Sequence, residues 1–92
     1  MNEITILALA GFREKFGEKN TVAVPKGATV LSVLHTFAET VPAAQDELFD
    51  SGHLRGHVIL MYNRERIDAD DAEEIAVSDS DEIVLYPPVS GG

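Results

Sequence analysis

A chain of 92 residues has room for one domain with a modest core, which leaves little space for a private catalytic pocket and puts a carrier or interaction role ahead of an enzymatic one. Its net charge of −9, with seven Lys and Arg against sixteen Asp and Glu, disfavours nucleic acid, whose phosphates need clustered cations; the acid implies a basic protein patch as partner, or serves solubility alone. With no cysteine there is no disulfide frame, no thiol nucleophile and no side-chain persulfide, so any sulfur the chain carries must sit elsewhere.

The first predicted element is a strand over Ile4 to Ala10, apolar at almost every position, as expected at the centre of a sheet covered on both faces. Glu3 stands where an export signal needs positive charge, so this stretch does not read as a signal peptide. Gly11, Gly17 and the polar run Glu18-Lys19-Asn20 lead into Thr21 to Val24, the second strand of a long-looped hairpin. Pro25, Gly27 and Thr29 then mark a turn and a helix start, with the Thr29 hydroxyl placed to accept from a free first-turn N–H. The helix runs to about Thr40. Val30, Val33, Leu34, Phe37, Ala38 and Val41 recur at offsets of three and four and give it one apolar stripe, and Pro42 stops it.

From Pro42 to Gly56 the pattern is weak and fits a long loop or a short extra helix anchored by Leu48, Phe49 and Leu54. Val58 to Tyr62 reads as a strand, Asn63-Arg64 as a turn into a short paired segment near Arg66-Ile67, and Glu82 to Tyr86 as the last strand. Pro87-Pro88 ends that strand, because proline has no N–H to give to a ladder. The order is strand, strand, helix, then two or three strands, which predicts an α+β roll. One main helix lies across one face of a mixed sheet of four or five strands, with the final strand beside the first. The β-grasp fold has this pattern, with a domain over residues 1–88 and a tail over residues 89–92.

The tail carries the strongest chemical signal. Pro87 and Pro88 direct the chain away from the sheet, and Val89, Ser90, Gly91 and Gly92 follow as a thin lead of high backbone freedom. A main-chain carboxylate at Gly92 is unreactive as it stands, but transfer to ATP would make it an acyl adenylate open to sulfur or an amine. Two glycines without Cβ atoms suit passage through another enzyme's narrow channel.

Four segments carry a resemblance to a known family: Ala10-Gly11-Phe12-Arg13-Glu14 after the first strand, Gly27-Ala28-Thr29-Val30 at the helix start, Val58 to Asn63, and, most specifically, Ser80 to Gly92. They resemble the ubiquitin-like sulfur carriers, in particular the small subunit of molybdopterin synthase and the archaeal small modifier proteins. The resemblance implies a non-catalytic carrier. An E1-like enzyme would adenylate Gly92, and a sulfur donor would convert it to a thiocarboxylate. The larger synthase subunit would then take the sulfur for molybdopterin, in molybdenum cofactor biosynthesis. It also implies an alternative, in which activated Gly92 forms isopeptide bonds with target lysines or supports tRNA thiolation. No bound cofactor is implied, only ATP used by the activating enzyme. Asp70 to Val77 is longer and more acidic than the family's usual turn, and Arg55, Arg64 and Arg66 match no family role.

No catalytic side chain and no metal site are expected. His53 and His57 are four apart, but Gly52 and Gly56 argue against the helix that would align them. His35 reads as a boundary residue of the helix, and the acids from Asp68 to Glu82 as a solvated face without calcium-loop spacing. Phe12, Val58, Leu60 and Leu85 are the candidates for a partner-facing patch, with simple core as the competing reading. No run approaches the roughly 18 apolar residues of a membrane span, and a cytoplasmic protein, monomeric when free, is expected.

Overall fold

The computed structural model describes residues 1–87. Strand β1 (Asn2–Ala8) pairs antiparallel with β2 (Lys19–Val24), placing Ile4 opposite Val22. On its other edge it pairs parallel with β7 (Glu82–Tyr86), placing Ile6 opposite Ile83. Strand β5 (Ile59–Tyr62) pairs antiparallel with β7 and with β6 (Glu65–Ile67), so the five-stranded order is β2-β1-β7-β5-β6. The first and last strands are adjacent inside a mixed sheet, as the order of elements predicts.

Helix α2 (Val30–Thr40) crosses one face and buries Val30, Val33, Leu34, Phe37 and Ala38. Thr29 is its N-cap: the Thr29 Oγ1 accepts from the Ser32 N–H at 3.2 Å, satisfying one of the orphan donors of the first turn. The core beneath holds Ile4, Ile6 and Ala8 of β1, Val22 and Val24 of β2, Leu60 of β5, and Ile83 and Leu85 of β7.

Three features differ from the sequence reading, and the segment from Pro42 takes the short-helix alternative that the reading left open, with a small hairpin after it. Strand β1 starts at Asn2 and stops at Ala8, and its burial alternates: Ile4, Ile6 and Ala8 are buried while Thr5 and Leu7 are only half-covered. A continuous apolar run therefore does not mean a helix on both faces here. The long hairpin loop contains a short helix, α1 (Gly11–Phe16), whose Phe12 and Phe16 rings stack at 4.9 Å between centroids, while Phe16 meets Phe37 edge-on at 5.8 Å.

Pro42 ends α2 and also begins α3 (Pro42–Leu48); at the first helical position its missing N–H is no loss. A small hairpin follows, β3 (Phe49–Asp50) with β4 (His53–Leu54), turned by Ser51 and Gly52, both at positive φ. His35 stacks on Phe49 at 4.2 Å and ties this insertion to α2. Finally, the acidic stretch after β6 forms α4 (Ala69–Glu74). Two of its acids cap the helix start, since Asp68 accepts from the Asp71 N–H and the Asp71 side chain accepts from the Asp68 N–H. Among the described residues no helix is long and apolar enough to cross a membrane.

Candidate functional site

Strand β7 delivers the chain to the tail, and its start is fixed by a compact hydrogen-bond network. The Asp81 carboxylate accepts from the Tyr62 hydroxyl, from the Ser78 N–H at 2.7 Å and from Asn63 Nδ2 at 3.1 Å. Asn63 Oδ1 in turn accepts from the Glu82 N–H at 2.9 Å. The Asp81 carbonyl takes the Thr5 N–H at 3.0 Å, and the Asp79 carboxylate takes the Glu3 N–H at 2.7 Å. The turn before β7 is thus tied to β1 and to the β5–β6 turn.

Burial and the bond to Asp81 push the Tyr62 phenol up to about 12. Burial acting alone would raise Asp81, but the bonds from Tyr62, Ser78 and Asn63 outweigh it and hold its carboxyl below the ordinary value.

At the other end of β7, Tyr86 lies opposite Ile59, and Pro87 follows as the last described residue. The remaining tail positions of the sequence reading, Pro88, Val89, Ser90, Gly91 and the acceptor Gly92, lie outside the described residues.

The partner-facing patch needs a correction. Phe12, Val58, Leu60 and Leu85 are all buried and belong to the core. Phe12 lies in α1, where it stacks on Phe16, and Val58 just precedes β5; for Leu60 and Leu85 the error is one of parity. Side chains alternate along a strand, so a one-residue shift moves the whole set to the other face. The face opposite α2 carries Leu7 of β1, Val84 and Tyr86 of β7, and Ile59 and Met61 of β5. Leu7 and Met61 are both paired with Val84. Val84 is buried yet absent from the core cluster, as expected of a residue flanked by these two on the uncovered face, and the other four are half-covered. Alternation along the four- and five-residue strands near the end of the sequence contained this signal, but which parity lay under the helix did not show.

The three arginines without an assigned role are spread out. Arg64 Nε lies 4.0 Å from Glu82 Oε1. Arg55 donates from Nε to the Asp46 carbonyl at 3.2 Å and lines, with Arg66, Leu54, Val58 and Ile67, a cleft of about 350 Å³ beside the β4–β5 connection. His53 lies in β4 and His57 in the following loop, so the helix that could align them is absent.

Residues 6–92 match the ThiS family. The chain is 30% identical, over 91 residues, to small archaeal modifier protein 3 of Haloferax volcanii, an alignment covering 98% of this chain and 99% of that one. Among solved structures it is similar to SAMP1 from Haloferax volcanii, with a TM-score of 0.88 and 30% identity over 99% of this chain and 100% of the other. A putative molybdopterin converting factor subunit 1 from Pyrococcus furiosus shares the fold, at a TM-score of 0.75 and 20% identity over 97% of this chain and 100% of the other.

Proposed function

The chain belongs to the ThiS family of ubiquitin-like β-grasp proteins, which act as carriers and not as catalysts, and from that premise we propose that it is a sulfur carrier loaded at the carboxylate of Gly92. A Gly92 carboxylate oxygen attacks the α-phosphorus of ATP in the site of an E1-like enzyme, and pyrophosphate leaves. A sulfide-level donor then attacks the acyl carbon and expels AMP, so that sulfur replaces one oxygen as a thiocarboxylate. In the molybdopterin reading, the large synthase subunit accepts the tail and passes the sulfur to the pterin precursor. ATP is the activating enzyme's substrate, which fits a cytoplasmic site of action.

The observation that supports this most is the placement of β7. It is an inner strand, hydrogen-bonded on both edges, and a rigid inner strand is a firm base from which to hand a short segment to another protein. Gly91 and Gly92, lacking Cβ atoms, can follow whatever backbone path the receiving site requires. The chain's lack of cysteine agrees with a carrier in which the terminus itself bears the sulfur.

Incubation with an E1-like enzyme, ATP and a sulfur source is expected to raise the intact mass by about 16 Da, oxygen exchanged for sulfur at an acyl carbon. Deleting Gly91 and Gly92 is expected to abolish the gain. No gain in the wild type, or a gain that survives the deletion, rejects the proposal.

The similarity to small archaeal modifier protein 3 favours a second reading, in which a lysine Nε attacks the same acyl carbon, expels AMP and forms an isopeptide bond. A tagged copy would then give a ladder of higher-mass species that disappears when the Gly-Gly pair is removed. A single band under every growth condition counts against conjugation.

A further inference from the structure

The β3–β4 hairpin and the loop after it gather side chains that the carrier reading leaves without a role. A cleft of about 380 Å³ opens along this segment, lined by His53, Arg55 and His57 together with Asp50 and Leu54. His53 lies in β4, Arg55 follows two residues later, and a turn over Gly56 and His57 keeps the second imidazole on the same cleft. Among the described residues lining the cleft, Asp50 is the one acid.

Arg55 is held in place from behind. Its N–H donates to the Leu48 carbonyl at 2.7 Å and its Nε to the Asp46 carbonyl at 3.2 Å, so it closes the C-terminal end of α3. Both Nη groups are left without an ion pair among the described residues, and so are the imidazoles of His53 and His57. No three His, Asp or Glu side chains among the described residues are placed to hold a metal ion, so these nitrogens are not the ligand set of a cation. They are N–H donors awaiting an acceptor.

We propose that this cleft binds a phosphate monoester. A phosphoryl group presents three terminal oxygens in different directions, enough for the Arg55 fork and for an N–H from each imidazole. A carboxylate has two oxygens in one plane, which a single guanidinium already satisfies. The volume sits at the low end of the roughly 300 to 1,000 Å³ of small-molecule sites, which suits a small phosphorylated metabolite or one phosphorylated side chain, with Leu54 against its carbon stem. The inference goes beyond the carrier reading, because it needs neither Gly92 nor an activating enzyme.

Charge makes the site depend on protons. Arg55 and Asp50 cancel, so the lining is neutral with both imidazoles neutral and carries two positive charges with both protonated. Imidazoles change charge between about pH 5 and 8, so a dianion is held better towards the acid side of that range. The acids nearest to these groups work against it only in part. Asp70 and Glu73 line a smaller cleft with His53, while Asp68 and Asp71, which share the 350 Å³ cleft with Arg55 and Arg66, are engaged in the α4 cap.

The test titrates the full chain with sulfate, glycerol phosphate, a short phosphoserine peptide and acetate at constant ionic strength, reading calorimetry and backbone amide NMR shifts. Sulfate stays a dianion throughout, so any change with pH belongs to the protein; it is expected to bind at least about fivefold more tightly at pH 5.5 than at pH 8, with shifts centred on residues 50–58. His53→Gln with His57→Gln, both at exposed positions, is expected to keep Tm and to remove that pH dependence. Arg64→Gln, which removes an exposed guanidinium from the β5–β6 turn, is expected to stay within about twofold of wild type. Tighter binding of the glycerol phosphate or of the peptide identifies a free metabolite or a protein side chain as the source of the group. Acetate binding as tightly as sulfate overturns the choice of a phosphoryl group. No saturable binding of either ester, shifts spread over the whole surface, or equal losses in the histidine and Arg64 variants overturn the site, and each of these leaves the thiocarboxylate experiment untouched.

Discussion

Leu60 and Met61 are neighbours on β5 that point to opposite faces of the sheet, so truncating each to alanine tests the parity on which the site depends. Leu60 is 1% exposed and packs in the core under α2. Leu60→Ala removes three carbons, a transfer loss of about 2.4 kcal/mol at roughly 0.8 kcal/mol per buried methylene. The cavity left in a core that cannot fully collapse raises this to about 3 to 4 kcal/mol. A domain of this length is stable by about 5 to 14 kcal/mol, so the change removes a large share and lowers Tm by roughly 12 to 30 °C.

Met61 is half-covered by its neighbours on the uncovered face, and alanine there opens no enclosed cavity. Met61→Ala is expected to cost no more than about 1 kcal/mol while weakening the complex with the activating enzyme. Urea and thermal unfolding, followed by binding measurements, read both effects. Equal destabilisation by the two variants, or a Leu60→Ala cost below about 1 kcal/mol, refutes the assignment of faces.

Asp68→Ala removes one half of the α4 capping box and is expected to cost about 0.5 to 2 kcal/mol in urea titrations, with Asp68→Asn restoring most of it. The depressed Asp81 carboxyl contributes stability that is present above the ordinary aspartate pKa and is lost as pH falls through its lower folded value. Acid unfolding should therefore shift to higher pH in Tyr62→Phe, which removes one donor to that carboxylate. Tyr62 works in the opposite direction: its contribution is full below about pH 10 and declines as pH rises towards about 12, so the wild-type stability curve should fall there and that of Tyr62→Phe should fall less. Deleting Gly91 and Gly92 is expected to leave Tm within about 1 °C of wild type while abolishing loading, because glycine has no side chain to bury.

Much of the fold was legible in the residues. The Thr29 cap, the stripe from Val30 to Ala38 and the Glu82 to Tyr86 strand stand within a residue of where local physics puts them, because a cap, a 3.6-residue period and a proline stop act over a few positions. The elements that were missed are short. Helix α1 depends on Phe12 and Phe16 stacking on each other and on Phe37, a contact 21 residues beyond Phe16 that no local window includes. Helix α4 was hidden because its carboxylates read as a solvated run, although Asp68 and Asp71 are spaced as a cap.

What the sequence determined by itself was the kind of chain: small and acidic, with the element order of a β-grasp fold, and with its chemistry implied by resemblance. Tertiary structure alone decided which side of the sheet is open. Leu60 and Met61, or Val84 and Leu85, are equally apolar in sequence, and strand alternation assigns them to opposite faces without saying which is covered. That choice is made when α2 crosses the sheet and takes one parity into the core. The same crossing left Leu7, Val84 and Met61 lined up between two cations contributed by edge strands, residues 19 and 66, which only the strand register brings into one row.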